Sequence, residues 1–595
     1  MYLKCHRRLK DGKEHRYWSI AEKRRLSRGR VVDRHVLYLG EINDSQRAAW
    51  LKSIEAFDES RQEQRRLALF PSDRDIPAHA SEYGVQVRLK EFRLERPRQW
   101  GACWAFCRLW QQLKLDEFWG ERLQDSREGT SWYQVLMVLV AYRWIDPGSE
   151  WRLHREWYAR SAMADLLQQD ASLVNKDTLY RCLDRLLEHK EALFGYLKER
   201  WQDLFGVKFD VLLYDLTSTY MESDPPFPDG DKRRYGYSRD HRGDCVQVVI
   251  ALIVTPEGFP LTYEVMAGNT ADNTTLPGFL QRIEARYGQA NRVWVMDRGV
   301  PTEEHLADMR RRGASYLVGT PKGRLSVLEQ QLAARAWREA RPEVRVKLLP
   351  QEQELYVYVE SQSRISKERA MRRRKLKWLW KRLKELQRQR PIYETLMMKI
   401  GAARSEVGQV AALVNLILPD PPPKSDRSRR VDFGFTLARV QLRVTRRREG
   451  RYLLRSNLTD TDPAKLWEFY LQLGEIEAAF RDLKTDLAIR PIFHQREDRI
   501  ESHIFVAFLA YCVQATFKHQ LKAHAPGLTV RQALEKLSAM QLLDVYFPTT
   551  DGRELVFTRY TEPEADQQLL LTQLGWQLPP QAPPKITPAK IAAAM

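Results

Sequence analysis

The sequence predicts an α/β protein built on a mixed β-sheet, and three observations lead to this fold class. Hydrophobic runs of strand length occur repeatedly between residues 207 and 320. The first three runs are separated by loops or turns, whereas the later ones alternate with amphipathic helical segments. Two of the runs are followed at once by an aspartate, Asp215 and Asp297. This order predicts antiparallel strands joined to parallel strands in one sheet, with polar side chains gathered at strand ends.

The order of the elements makes the fold class more specific. Strands are predicted in the runs VKFDVLLY (207–214), VQVVIALIV (246–254), PLTYEVMA (260–267), NRVWVMD (291–297) and ASYLVGT (314–320). A Thr-Pro-Glu-Gly turn joins the second and third runs, and helices at 274–288 and 302–313 precede the fourth and fifth. Three antiparallel strands followed by βαβ crossovers are the arrangement of the ribonuclease H type. In this arrangement the first and fourth strands are neighbours.

The regions around this sheet divide the chain into six predicted segments. Residues 1–95 form a small basic module with a strand near 30–39 and a polar helix at 44–66, and residues 96–205 are helical. The catalytic core occupies 206–325 and 461–525, an insertion domain occupies 326–460, and a C-terminal region with a Pro-rich tail occupies 526–595. The helices of 96–205 fit a helix-turn-helix-like DNA-binding unit or a plain bundle, and Asn175 or Asp177 is a candidate cap for the last one. The tail from Pro579 is predicted to be disordered.

The predicted insertion contains an unusually basic helix. Residues 364–390 carry 13 Lys and Arg against two acids, and strand-like pieces at 343–349, 355–361, 436–444 and 451–457 surround this helix. One apolar stripe runs along it, formed by Leu376, Leu379, Leu383 and Leu386. A solvated amphipathic helix is one interpretation, but the charge excess favours contact with phosphate groups.

Composition limits the class of partner and the compartment. The chain of 595 residues is 43% hydrophobic, which is enough for packed cores, and its formal net charge is +19. Such a basic protein favours a polyanionic partner, most simply nucleic acid. The six cysteines are sparse and lack zinc-ligand spacing, which fits a reducing cytoplasm. The N-terminus lacks a signal peptide's apolar core and the apolar runs are short, so we expect a cytoplasmic protein without a membrane contact.

The chemistry is predicted to lie with three carboxylates. Asp215 and Asp297 would lie side by side on neighbouring strands, and a divalent metal is the usual remedy for their repulsion. Glu477, on a helix that arrives after the insertion, would be the third ligand. Oxygen ligands suit Mg²⁺ or Mn²⁺, and two such ions suit in-line displacement at phosphorus. Each aspartate alone is more often a turn or cap residue.

The segment around Glu477 is predicted to form one helix from Trp467 to about Leu487, stopped by Pro491. At about 100° per residue, one face of this helix collects five side chains, Tyr470, Leu473, Glu477, Arg481 and Lys484. A solvated salt-bridge ladder is the simplest interpretation of such a face. The alternative, which the two aspartates favour, is that Arg481 and Lys484 hold a DNA phosphate beside Glu477.

These motifs resemble the DDE (Asp-Asp-Glu) transposases of bacterial insertion sequences, in the insertion-sequence-4-type superfamily with a β-rich insertion before the Glu. YDLTSTY and VMDRG are similar to the first and second Asp motifs of the family, and the resemblance covers roughly 205–515. The family marks its Glu helix with Tyr, Arg, Glu and Lys, and Tyr470, Glu477 and Lys484 fall on that spacing. Leu473 stands at the Arg position, where Arg481 is a candidate substitute.

The resemblance implies both a site and an activity. It carries the DDE triad over to Asp215, Asp297 and Glu477, and it implies DNA contacts for Tyr470, Lys484, Arg481 and Arg298. The implied activity is cleavage of terminal inverted repeats in double-stranded DNA and joining of the 3′ ends to target DNA, by a homodimer with two Mg²⁺ or Mn²⁺ ions. Two alternatives remain: a ribonuclease H-fold nuclease or resolvase without strand transfer, and an inactive domesticated DNA-binding protein.

Overall fold

A computed structural model describes residues 2–10, 13–25, 31–41, 54–58, 63–67, 86–288, 292–320, 328, 330–421, 423, 430–459 and 462–588. The strands, numbered along the chain, are β1 Tyr2–Lys10, β2 Lys13–Arg25, β3 Val31–Glu41, β4 Ile54–Asp58, β5 Glu63–Leu67, β6 Arg93–Gln99, β7 Val211–Met221, β8 Val246–Val254, β9 Pro260–Ala267, β10 Val293–Met296, β11 Ser315–Gly319, β12 Arg338–Arg341, β13 Val344–Gln351, β14 Glu354–Ser361, β15 Val414–Ile417, β16 Gly434–Leu437, β17 Arg451–Ser456, β18 Gln541–Pro548, β19 Arg553–Tyr560 and β20 Lys585–Pro588. The longer helices are α1 Gly101–Gln112, α2 Leu115–Arg122, α3 Trp132–Ile145, α4 Lys176–Leu183, α5 Lys190–Phe205, α6 Asp272–Tyr287, α7 Glu303–Arg311, α8 Gln362–Gln389, α9 Tyr393–Val407, α10 Arg439–Arg448, α11 Pro463–Leu471, α12 Leu473–Arg481, α13 Glu497–His524, α14 Val530–Ser538 and α15 Ala565–Gln573.

Packing divides the chain into two compact units. One comprises Met1–Ala105, Tyr158–Gln168 and Gln532–Met595, and the other comprises Phe106–Trp157 and Gln169–Arg531. The second unit contains both the predicted catalytic segments and the insertion between them. The six predicted segments, including a possible DNA-binding role for residues 96–205, remain a prediction.

The second unit is organised around a nine-stranded sheet in the order β12-β13-β14-β17-β11-β10-β7-β8-β9. The pairs β7–β10 and β10–β11 are parallel, and the other pairs are antiparallel. The prediction of a mixed α/β sheet is therefore confirmed, and the first predicted strand does lie beside the fourth. The insertion strands β12 to β14, with β17, extend the same sheet beyond β11. All nine residues of β8 are buried, as expected for a strand covered on both faces.

Strand β7 is longer than the sequence suggested. It was predicted to end before Asp215, but it continues to Met221 because β8 pairs with it along nearly its whole length, from Leu213 opposite Val254 to Met221 opposite Val246. The stretch after Asp215 is polar and rich in Thr, so hydrophobicity alone hid it, whereas β-branched Thr suits a strand. The pairing of β7 with β10 is shorter than its pairing with β8 and ends at Tyr214 opposite Met296, directly before the two aspartates.

Helices pack beside this sheet around α13. Nineteen of its side chains, including Phe505, Tyr511 and Phe517, are buried, and α3 packs against it. Helix α13 is the one described helix that is long and apolar enough to cross a membrane, yet 94% of its most apolar stretch is buried inside the protein. Such burial is typical of a core helix. The predicted helical character of residues 100–201 is confirmed, although the last predicted helix is divided into α4, capped by Asn175, and α5.

The insertion has a core of its own. The leucine stripe of α8 packs against α9, β15 and β16, with Leu379, Leu383 and Leu386 buried and Leu376 partly buried. The prediction of this basic helix and its stripe is confirmed. The predicted strand at 436–444 is wrong for most of its length, because α10 begins at Arg439. Alternating apolar residues suggested a strand, but in the helix Leu442 is buried while Val440 is 75% exposed.

The first unit is mainly β-structure. Strands β1 to β3 form one antiparallel sheet, and β6, β18, β19 and β20 form another. Two predictions are wrong here. The described parts of the predicted helix at 44–66 are the paired strands β4 and β5, and its other residues lie outside the described part of the chain. Within the tail predicted to be disordered, β20 pairs with β19, because the exposed edge of the β18–β19 hairpin offers free backbone groups.

Candidate active site

Asp215 and Asp297 both come directly after the same end of one parallel ladder. Strands β7 and β10 pair from Val211 opposite Val293 to Tyr214 opposite Met296, and the aspartates are the next residue on each strand. Beyond this point β7 continues along β8, with Asp215 opposite Leu252. Both carboxylates line one cavity of about 630 Å³. The adjacency expected from strand order is therefore present, although Asp215 lies within its strand.

The cavity disfavours the ionised form of Asp215. Burial raises the pKa of Asp215 to about 7, and the negative charges of Asp297 and Asp272 act in the same direction. A backbone hydrogen bond from Leu216 and the charge of Arg239 oppose this rise. Asp297 itself is exposed to solvent. Two ionised carboxylates in this arrangement repel each other, and a nearby cation would favour the ionised form of both.

Gly319, at the end of β11, lets a tyrosine approach this pair. A Cβ atom added at Gly319 would lie 2.9 Å from the Tyr470 hydroxyl oxygen and 3.4 Å from Asp297 Oδ1. Burial, followed by the charge of Asp297, raises the pKa of Tyr470 to about 12, so its phenol stays protonated at neutral pH. The ring of Tyr470 stacks on Tyr452, with centroids 5.6 Å apart. Tyr470 is thus a fixed hydroxyl donor beside the second aspartate.

The helix that carries the glutamate is not continuous. It was predicted as one helix from 467 to 487, but α11 ends at Leu471, α12 starts at Leu473, and a π-helical turn follows at Asp482–Asp486. Gln472 caps both helices, and the backbone N–H of Glu475 donates to its carbonyl at 2.8 Å. Gly474, a poor helix former, adjoins the break.

The two glutamates of α12 face different surroundings. Glu477 is exposed and lines the same cavity as Asp215 and Asp297. Glu475 instead accepts from Lys518 Nζ on α13 at 2.9 Å. The cavity therefore gathers the three predicted carboxylates and leaves the neighbouring glutamate in an ion pair.

The structure separates the predicted cationic residues of the site. Arg298 lines the cavity beside Asp297, whereas Arg481 and Lys484 are not among the residues that line it. Arg481 is exposed. Lys484 Nζ lies 2.8 Å from Asp240 Oδ1, an oxygen that Arg490 also contacts. Tyr470 on α11 and Leu473 and Glu477 on α12 line the same cavity, although the break at Gln472 means that they do not share one continuous helical face. Arg481 and Lys484 lie outside this lining.

The insertion supplies the opposite wall of the cavity. Arg364 and Glu368 at the start of α8, Thr445 and Arg448 on α10, and Arg451 on β17 all line it. The Arg364 guanidinium lies 4.5 Å above the ring centre of Tyr452, and its Nε is 3.1 Å from Glu368. This rim of guanidinium groups around the carboxylates suits a phosphodiester.

Sequence reasoning missed several residues in and around the cavity. Gly319 and Tyr452 carry no local signal, because their importance comes from close approach in the folded state. Arg364 was noticed only as part of a basic helix. Arg239 and Asp240 lie in the loop between β7 and β8, a segment whose resemblance to the family was the one available signal.

The donor set of the cavity suits hard divalent cations. Asp215, Asp297 and Glu477 offer carboxylate oxygens, which Mg²⁺ and Mn²⁺ prefer. Their oxygens surround the cavity without forming a closed group: among the described residues, the group of three His, Cys, Asp or Glu whose ligand atoms all lie within 4.8 Å of one another is Glu150, His494 and His503.

That second group is a buried charge network with its own cation. Glu150 Oε1 lies 3.3 Å from His494 Nε2 and 3.6 Å from His503 Nδ1. Arg143 Nη2 lies 3.8 Å from the same carboxylate oxygen and 3.4 Å from His503 Nδ1. Burial lowers the pKa of His503 to about 4, so this ring is neutral at pH 7. A guanidinium already balances Glu150, so these residues do not fit a divalent cation.

Comparison with known proteins identifies the class. The family model described as Transposase DDE domain matches residues 208–513, more than half of the chain, and the chain belongs to this family. The matched range contains Asp215, Asp297 and Glu477 and agrees with the resemblance inferred from the sequence. No curated protein matches the chain. A cryo-EM structure of a piggyBac transposase synaptic complex with hairpin DNA is similar over 73% of this chain and 79% of that chain, with 8% identity and a TM-score of 0.34.

Proposed function

We propose that this protein is a DNA transposase that cleaves the terminal inverted repeats of an insertion sequence and joins the 3′ ends to target DNA. The observation that carries the proposal is the position of Asp215 and Asp297 at one level of the parallel ladder, in a cavity shared with Glu477. The strand order of this part of the sheet supports a ribonuclease H-like core. Membership of the Transposase DDE domain family supports the reaction class.

The three carboxylates would hold two Mg²⁺ or Mn²⁺ ions. When bound, these ions supply activation of the attacking oxygen and stabilisation of the leaving oxygen in an in-line displacement. The raised pKa of Asp215 means that, without a counter-cation, this carboxyl favours its protonated form near neutral pH. Asp297 and Glu477, both exposed, are placed to complete the ligand set from the neighbouring strand and from α12.

The other cavity residues position the DNA. The protonated hydroxyl of Tyr470 can donate a hydrogen bond to a phosphate oxygen beside Asp297. Arg298, at the rim, pairs with the negative charge of the DNA backbone, and exposed Arg481, the last residue of α12, is a further phosphate contact. Lys484 and Arg490 share the carboxylate of Asp240, so this group of three keeps one net positive charge. Hydrolysis at each end would free a 3′-hydroxyl, which then attacks a target phosphodiester. Joining two ends requires their synapsis, which a homodimer would supply.

End cleavage tests this proposal with matched variants. Purified full-length protein is incubated with Mg²⁺ and a duplex that contains the terminal repeat of its own element. Asp215→Ala, Asp297→Ala and Glu477→Gln are expected to abolish cleavage and leave DNA binding largely intact. Glu475→Gln, two residues from Glu477 but paired with Lys518, is expected to retain cleavage. Full cleavage by Glu477→Gln would contradict the assignment.

Strand transfer separates the proposal from its rivals. With a pre-cleaved end that carries a free 3′-hydroxyl, the wild-type protein is expected to yield joined products with target DNA. Cleavage without any joining would indicate a nuclease or resolvase. Binding without Mg²⁺- or Mn²⁺-dependent nicking would indicate an inactive DNA-binding protein. Either result would overturn the proposed function.

A further inference from the structure

A second cationic cavity lies in the helical part of the larger unit. It encloses about 390 Å³ where the segment before α3 meets α4. Three guanidinium groups line it, those of Arg127, Arg181 and Arg185, and we call it the arginine pocket. It shares no lining residue with the carboxylate cavity.

The three arginines have no carboxylate partner in the described part of the chain. In the described chain none of them donates a hydrogen bond to a carboxylate or forms an ion pair, and all three are exposed. Asp184, which lies between Arg181 and Arg185 in the sequence, is held by Arg499 through two contacts of 2.8 and 2.9 Å. Two acidic residues line the pocket, Glu128 and Asp177, and neither lies within 4.0 Å of these guanidinium groups.

Contacts within the protein hold parts of the pocket wall in place. The Arg185 guanidinium lies 4.7 Å above the ring centre of Trp132, a side chain that is only 4% exposed. On α4, Asn175 and Thr178 form a capping box that satisfies the start of the helix. Ser126 Oγ accepts a hydrogen bond from the backbone N–H of Thr130 at 3.0 Å, which stabilises the turn before α3. Arg181 lies in the last turn of α4, and Arg185 lies in the turn that follows the helix; both line the pocket.

We propose that the arginine pocket binds the sugar-phosphate backbone of double-stranded DNA, as a contact separate from the carboxylate cavity. Guanidinium forks bind phosphate oxygens in pairs, and a guanidinium without a carboxylate partner gives up no ion pair when it does so. The proposal rests on the DNA-binding part of the proposed function, and the net charge of +19 gives the whole chain a preference for such a partner. Contacts of this kind fix DNA in place without reading its sequence.

The test uses the full chain without metal and a labelled duplex of roughly 30 base pairs with unrelated sequence, over a range of salt concentrations. The double variant Arg181→Glu/Arg185→Glu is expected to bind about tenfold or more weakly and to lower the slope of log affinity against log salt by about 2, since each lost phosphate contact removes about 0.9. The variant Arg181→Lys/Arg185→Lys is expected to keep most of the slope, because it keeps the charge.

Arg155 provides a matched control. Its guanidinium also lies 4.7 Å above a tryptophan ring, that of Trp151, but it is not among the residues that line the pocket. Arg155→Glu is expected to leave affinity and slope nearly unchanged, and thermal unfolding of all variants is expected to match the wild type.

Three outcomes overturn the proposal. Equal binding by the wild type and the double Glu variant removes the pocket from the DNA interface. A loss of log affinity in Arg155→Glu that is half of the loss in the double Glu variant, in proportion to the change in charge, shows that the effect is one of net charge. A loss seen only with single-stranded RNA or an acidic protein of similar charge assigns the pocket to a different partner. A wild-type protein that binds no duplex at any salt concentration contradicts the proposed function itself, which is a distinct result.

Discussion

Asp215 and Asp297 lie at the same level of the sheet, each directly after the parallel ladder that ends with Tyr214 opposite Met296. Their strands are neighbours, so the two carboxylates meet at the cavity even though more than 80 residues separate them in the chain. Glu477 reaches this cavity from α12. The following predictions test this arrangement and the packing that supports it.

The close approach at Gly319 predicts a steric defect that a second substitution repairs. Gly319→Ala places a methyl group 2.9 Å from the Tyr470 hydroxyl oxygen, so the phenol must move away from Asp297. We expect end cleavage to fall by about 10- to 100-fold with an unchanged fold, since small displacements in an active site cost this much. Circular dichroism and cleavage rates measure the two quantities.

Two further variants make this prediction specific. Tyr470→Phe removes the crowded oxygen, so Gly319→Ala should cost less in the Tyr470→Phe background than in the wild type. Gly299→Ala, at a glycine with nothing within 4 Å of an added Cβ, should be tolerated. Equal losses for Gly319→Ala in both backgrounds would show that the methyl group acts elsewhere.

The raised pKa of Asp215 predicts a pH-dependent stability difference in metal-free protein. The pKa is about 7 when folded and 3.8 in the unfolded reference, so the folded state binds this proton more tightly. The wild type therefore loses stability as pH rises from about 4 to about 7, and Asp215→Asn does not incur this loss. With a chelator present, the Tm advantage of Asp215→Asn should grow through this window and level off above it.

The control for this titration is Glu477→Gln, at an exposed carboxylate of the same cavity. Its Tm difference from the wild type should be small, because the side chain is exposed. A Tm advantage of Asp215→Asn that is already complete at pH 4 would contradict the assignment of the titration to Asp215.

Features that follow from the order of strands and helices could be predicted from the sequence, whereas contacts made by loops could not. The Asp215–Asp297 adjacency could be predicted because strand order follows from the sequence of strands and helices. The pairing of Lys484 with Asp240 could not, because Asp240 lies in a loop without regular structure that only the folded chain brings to the π-helical turn. Helix α10 was mistaken for a strand because five alternating residues cannot distinguish the two periods.

Breaking a buried ion pair should strongly destabilise the smaller unit. Arg98, 1% exposed, donates from Nη1 and Nη2 to the two oxygens of Asp544 at 3.0 Å each, and its Nε lies 2.8 Å from Asp165. Asp544→Ala leaves this guanidinium partly uncompensated, and we expect it to cost about 3–5 kcal/mol in the free energy of unfolding. Urea denaturation measures this cost. Asp551→Ala, in the exposed pair with Arg553, should change stability little, and equal effects of the two variants would contradict the prediction.

The network of Glu150 predicts stability without a metal ion. Glu150→Gln removes the counter-charge of buried Arg143, so we expect a loss of about 3–5 kcal/mol in the free energy of unfolding. A chelator should shift the Tm of the wild type and of Glu150→Gln by the same amount, because Arg143 already supplies the positive charge at this network. Glu156→Gln, at an exposed glutamate, is the control. A chelator that lowers the Tm of the wild type but not of Glu150→Gln would instead indicate a bound cation there.

The most direct test of the central claim is a crystal structure of the full chain with Mn²⁺, with the ions located by their anomalous scattering. We expect two peaks about 4 Å apart in the cavity, both contacted by carboxylate oxygens from Asp215, Asp297 and Glu477. Manganese bound only elsewhere, or bound in the cavity without any contact to Glu477, would contradict the account.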